Sequence, residues 1–253
     1  MTFRPATRAK RPALRPALRR AALPFALLAL LATGAARAQP AVPDSMAQRM
    51  AACTVCHGPA GRAGPDGYYP RLAGKPAGYL YHQLLNFRDG RRHYGLMTQL
   101  VDRLSDDYLR EIAEYFAALE LPYPPPAPAS APAALLERGR QLVHQGDPAR
   151  GLPACVQCHG AAMTGVAPNV PGLLGLPRDY LNGQLGAWRT GQRKALAPDC
   201  MAHVAEHLAD ADVAAVSGWL AAQPLPADTR AAAQAPAGNT LACGSAPEVG
   251  GTR

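Results

Sequence analysis

Cys53-Thr54-Val55-Cys56-His57-Gly58 returns as Cys155-Val156-Gln157-Cys158-His159-Gly160, 102 positions later. In a chain of 253 residues such an echo is worth following outward, because self-similarity at a fixed period decides architecture. The similarity continues. At a spacing of 101, Pro70, Leu72, Gly74, Pro76, Tyr79, Leu80, Gln83, Leu84, Arg88, Gly90 and Arg92 meet Pro171, Leu173, Gly175, Pro177, Tyr180, Leu181, Gln184, Leu185, Arg189, Gly191 and Arg193. At 104, Met97, Leu104 and Asp106 meet Met201, Leu208 and Asp210. The drift falls between motifs, where loops tolerate changes of length.

Two cysteines three apart followed by His form the attachment signature of haem c. The thiols add across the two porphyrin vinyl groups, and the adjacent His then reaches the iron. A redox dithiol would call for a βαβ context, and none is evident. A four-cysteine zinc site leaves the His after each pair unexplained. The reading is therefore two covalently bound haem c groups, attached at Cys53 and Cys56 and at Cys155 and Cys158, with His57 and His159 on the irons. Each half is short and poor in aromatic residues, so a macrocycle would supply most of its core, and the haem-free chain is expected to stay largely unfolded.

The second axial position decides function. Candidates are Met97, His82 and His93 in the first half, and Met201, Met163, His203 and His207 in the second. Met97 and Met201 occupy equivalent places, 40 and 42 residues after their His, in loops before the last helix of each half. No His is paired in that way, so Met97 and Met201 are the expected ligands. A thioether favours ferrous iron and raises the potential, and six-coordinate iron has no vacancy for a substrate. The chain should carry electrons rather than act as an enzyme.

The formal charge of +8 and a pI near 9.4 would suggest nucleic acid or a membrane surface. The excess sits in residues 1–38, which hold eight Arg and Lys and no acid, then an apolar run over 21–31 and Ala36-Arg37-Ala38. That is the pattern of a cleaved signal peptide, and the apolar run falls short of the roughly 20 residues a span needs. Without it basic and acidic side chains balance at 18 each, so nucleic acid is not expected as a partner. The mature chain should be periplasmic, without a transmembrane segment, and any membrane association would run through its partners.

The fold class expected is all-α. Residues 39–121 form a first domain, 122–132 a Pro/Ala-rich linker, 133–226 a second domain and 227–253 an irregular tail. Ser105 caps a helix with apolar residues at helical spacing, and Asp210 repeats the design before Val213, Val216 and Trp219. Middle helices are predicted over 79–87 and 180–188, and an opening helix of the second half over 133–143.

Cys-x-x-Cys-His-Gly, Pro-x-Leu-x-Gly, Tyr-Leu-x-x-Gln-Leu, Phe/Trp-Arg-x-Gly-x-Arg, an isolated Met and a final Leu-x-Asp helix, each occurring twice over about 47–225, resemble the di-haem cytochrome c4 family. The resemblance implies two tandem class I cytochrome c domains related by an approximate twofold axis. It implies redox partners such as a terminal oxidase, a bc1-type complex or a dehydrogenase. It also implies that the carbonyls of Pro70 and Pro171 accept from the ring N–H of the proximal His. Arg88, Arg92, Arg189 and Arg193 would either reach haem propionates or line a solvated helix face, and Gly139 would pack against Trp219. Cys200 and Cys243 depart from the pattern; outside the cytoplasm they either pair with one another, tying the tail over Met201, or stay unpaired or bridge between molecules.

Three functions fit in decreasing order. They are a free periplasmic di-haem carrier, the cytochrome subunit of a periplasmic or membrane-bound dehydrogenase, and a di-haem peroxidase. The matched Met97 and Met201 argue against the last.

Overall fold

Ser45 starts the first helix by accepting the Gln48 N–H at 3.3 Å, satisfying one of the donors that a helix N-terminus leaves open. The computed structural model describes residues 43–250 except 65–66, 127 and 129–130, and those from Asp44 onward belong to one compact unit. The leader assigned to 1–38 lies outside the described residues, as do 39–42 and 251–253.

The first half contains α1 (Met46–Arg49) and α2 (Ala51–His57), which meet at Met50, then α3 (Ala77–Arg88), α4 (Gly95–Val101) and α5 (Asp106–Ala117). The first Cys-x-x-Cys-His runs along α2, and Gly58 stops the helix at φ +73°, a left-handed value that a side chain resists. Ser105 accepts the Tyr108 N–H at 3.2 Å and starts α5, whose Leu109, Ile112, Ala113 and Phe116 recur at helical spacing and are buried. They pack with Met50, Leu80 and Phe87 in one core.

In the second half α6 (Ala133–Gln145) and α7 (Val156–His159) are followed by a two-residue antiparallel pair, β1 (Gly165–Val166) and β2 (Val170–Pro171). Then come α8 (Arg178–Arg189), α9 (Cys200–His207) and α10 (Asp210–Ala222). Gly139 lets α6 lie directly on α10: a methyl group there would collide with the Ala215 carbonyl and stand 2.7 Å from the Trp219 Cβ. Leu142, Val143, Leu181, Val216 and Leu220 form the second core. An ionic cluster beside it ties α6 to α10. Asp212 is reached by Arg138 at 2.9 Å and Arg150 at 2.7 Å, and both arginines also hold Asp147.

The start of the linker is held by the first half: the Arg71 guanidinium donates to the carbonyls of Leu121 at 2.5 Å and Pro122 at 3.1 Å and stacks 3.9 Å from the Tyr123 ring. The tail is irregular in backbone but built into the second half. Ala232 bridges Val166 in a parallel sense, and Ala246 and Val249 are buried with Val166 and Val170. Among the described residues no helix is long and apolar enough to cross a membrane.

Candidate haem sites

The fold brings all eight expected haem-binding side chains to one continuous cavity of about 620 Å³. Cys53, Cys56, His57 and Met97 line it from the first half, and Cys155, Cys158, His159 and Met201 from the second.

The two histidines are set alike. His57 Nδ1 lies 2.8 Å from the Pro70 carbonyl oxygen, and His159 Nδ1 lies 2.8 Å from that of Pro171. A carbonyl can only accept, so each Nδ1 carries the proton and each Nε2 keeps its lone pair. Burial pushes both rings below the usual imidazole range, against the raising effect of the proline carbonyls. A neutral imidazole with a fixed tautomer is the form that binds a metal.

The cysteines tell against a dithiol redox site. Reactive Cys-x-x-Cys pairs have a thiol of depressed pKa. Here burial raises Cys53, pushes Cys158 up to about 11 and, with the neighbouring Cys158, pushes Cys155 up to about 12. None of the four is in a disulfide. No group of three or more metal-binding side chains occurs among the described residues, as a zinc ribbon would need.

Met97 and Met201 stand in short helices, not in loops. Met97 is the third residue of α4 and Met201 the second of α9. Asp199 makes the second of these helices by accepting the Ala202 N–H at 3.0 Å. A seven- or eight-residue helix buries too little to show periodicity in sequence. Of the histidine alternatives, His82 and His93 also line the cavity, whereas His203 and His207 stack on one another at 4.0 Å away from it. Met163 is buried in the second core. Cys200 and Cys243 are joined, with their Cα atoms 5.0 Å apart. The tail beyond the bond grips the same segment, since Gly244 N–H donates to the Pro198 carbonyl at 2.9 Å and Leu196 N–H to the Ser245 hydroxyl at 3.1 Å.

The four arginines divide into two kinds. Arg88 pairs with Asp106 at 2.6 Å and Arg189 with Asp210 at 2.5 Å, so in each half this arginine fastens the middle helix to the last. Arg92 and Arg193 instead meet where the halves join, their backbones in a single antiparallel bridge. Arg193 is only 5% exposed, over the Trp188 ring at 3.8 Å, and Arg92 lies over Phe87 at 4.7 Å. Sequence reading missed Arg71 and Lys75, whose partners lie about 50 and 97 residues away.

The residues fit haem c twice over: from each half, paired thiols, a neutral imidazole of fixed tautomer and a thioether line the same apolar cavity. No protein-family model matches the chain. Among characterised proteins it is 40% identical over 184 residues to a thiosulfate dehydrogenase electron acceptor of Thiomonas intermedia, covering 73% of this chain and 84% of that one. It is 34% identical to a cytochrome c4 of Pseudomonas aeruginosa, covering 77% and 94%. Among solved structures, a reduced cytochrome c4 from Pseudomonas stutzeri matches with a TM-score of 0.58 at 31% identity, over 70% of this chain and 95% of that one. A thiosulfate dehydrogenase from Marichromatium purpuratum matches with a TM-score of 0.61 at 34% identity, over 68% of this chain but only 36% of that longer one. The relatives named cytochrome c4 and electron acceptor are electron carriers rather than enzymes, and the cytochromes c4 carry two covalent haem c groups. With two haem c sites built alike and this similarity to cytochromes c4 along nearly their whole length, the chain belongs to the di-haem cytochrome c4 family.

Proposed function

We propose that the protein is a periplasmic one-electron carrier that takes electrons from a thiosulfate dehydrogenase and passes them to a terminal oxidase or another respiratory acceptor. The observation that supports carriage over catalysis is the equivalence of the two sites: His57, Pro70 and Met97 line the cavity in the first half as His159, Pro171 and Met201 do in the second. The choice of donor rests on the higher identity to electron acceptors of that enzyme, 40% and 38%, than to the cytochromes c4.

When bound, haem c supplies an iron that alternates between ferric and ferrous states. The protein's part is to hold the ligands still. Cys53, Cys56, Cys155 and Cys158 anchor the groups covalently. The Pro70 and Pro171 carbonyls fix the rings of His57 and His159, and α4 and α9 hold the thioethers of Met97 and Met201. Ligands that do not move between redox states keep the cost of each transfer low.

Thiosulfate and the thiosulfate dehydrogenase of the same organism, mixed with the oxidised protein in a stopped-flow spectrometer, should give rapid growth of the ferrous haem bands. Thiosulfate alone should give none. Slow reduction in the complete mixture would remove this donor and leave the carrier reading intact. A second reading, a permanent dehydrogenase subunit, draws support from the Marichromatium chain, which carries the dehydrogenase name and of which this protein matches 36%. Copurification of the two proteins at equal stoichiometry would select it.

A further inference from the structure

Lys75 is not one of the proposed haem ligands, and it is only 4% exposed. Its ammonium donates to the Gly172 carbonyl at 2.8 Å, crossing from the first half to the second. Gly172 adjoins Pro171, whose carbonyl fixes the His159 ring. Lys75, Gly172, Pro171 and His159 line the same cavity. The two halves are not alike here. The matched segments Pro70-Arg71-Leu72-Ala73-Gly74-Lys75-Pro76 and Pro171-Gly172-Leu173-Leu174-Gly175-Leu176-Pro177 place Leu176 where the first half has Lys75. The second half therefore has no cation at the position equivalent to Lys75.

Burying an ammonium with a neutral partner is costly, and the protein bears that cost at one site of two. Burial, with the nearby Arg71 charge, brings the Lys75 amine down to about 7. A cation in a poorly screened interior acts more strongly on a ferric than on a ferrous centre, because the ferric state carries one more positive charge.

We propose that Lys75, held by the first half, is a positioning residue that raises the reduction potential of the second haem and braces its proximal loop through Gly172. The proposal rests on His159 being the ligand of that haem. It makes the potential of one centre depend on the docking of the other half, so that the two haems differ although their ligands match.

The test is a redox titration of the holoprotein at a pH below 7, where Lys75 carries its charge, with the two haems distinguished by the separate NMR resonances of their axial Met methyl groups. Lys75→Gln keeps a donor for Gly172, and Lys75→Met keeps the length without charge or donor; if one fails to fold, the other serves. Either neutral variant should lower the potential of the second haem and leave the first in place, shifting the electron distribution between them several-fold toward the first. Lys75→Arg should stay near the wild type. An unmoved second haem, or equal shifts of both, would overturn the proposal. A wild-type spectrum lacking low-spin His/Met iron in the second half would instead strike at the ligand assignment.

Discussion

Arg92 and Arg193 meet across the join between the two halves, and each guanidinium is held by the amide oxygens of both Gln83 and Gln184. Arg92 lies 2.9 Å from Gln83 Oε1 and 2.7 Å from Gln184 Oε1; Arg193 lies 3.1 Å and 2.7 Å from them. Arg92 and Arg193 are repeat equivalents, as are Gln83 and Gln184, so the join brings two like charges together and supplies two shared acceptors. Tyr79 adds a third, its hydroxyl accepting from Arg193 at 3.3 Å.

That sharing makes the glutamines interdependent. Gln83→Ala or Gln184→Ala alone should cost about 1–3 kcal/mol, the usual loss when a charged donor loses a buried partner. With one amide gone the other still holds both arginines. The double variant should therefore lose more than the sum, by at least about 0.5 kcal/mol in a denaturation cycle. Additive losses would mean that the two amides act independently.

Replacement of the axial thioethers should be separable by half. Met97→His and Met201→His are each expected to remove about half of the Met–iron absorption band and to lower the potential of one haem, because imidazole stabilises ferric iron better than a thioether. The measurement is an optical redox titration. Retention of the full band in either variant would assign that ligand elsewhere, with His93 and His82 the cavity-lining alternatives in the first half.

The bond between Cys200 and Cys243 closes a loop across a sequence separation of 43. Replacing both with Ser should destabilise the second half by about 3–4 kcal/mol on the chain-entropy model. Cys200 directly precedes Met201, so the Met–iron band of the second haem should be lost at a lower temperature than that of the first. Thermal melts followed at that band report it, and coincident melting of both haems would show that the tail does not support this ligand.

Acid should weaken the α6–α10 contact through Asp212. Burial alone would raise this carboxyl, but Arg138, Arg150 and the Ala209 N–H outweigh burial and hold it below the usual range. A folded pKa below the unfolded one makes its contribution complete above about pH 4 and lost as the pH falls through the folded value. Wild type should thus exceed Asp212→Asn in stability by a constant margin above about pH 4, and the gap should close below it. A gap that persists to pH 2 would place the effect in packing.

What could be read without coordinates was whatever is local and repeated. Each Cys-x-x-Cys-His spans one helical turn or two, Ser105 lies three residues before the Tyr108 amide it caps, and Pro70 and Met97 stand at nearly the same distance from His57 as Pro171 and Met201 from His159. The second copy turns each such signal into a pattern. Met97 and Met201 stand out as candidate ligands for that reason, although the helices that carry them are too short to be seen.

The sequence by itself determined the cofactor and the all-α class and pointed to the proposed ligand set, because covalent attachment and axial ligation demand fixed residue types at nearly fixed spacing. Only the tertiary structure decided how the copies differ. Arg71 binding the linker carbonyls, Lys75 reaching Gly172 and the tail packing on Val166 join residues roughly 50 to 97 positions apart. In each the partner is a backbone carbonyl or an apolar side chain, and every residue supplies a carbonyl. Such contacts leave no spacing or residue type to read, and chain packing alone selects the partner.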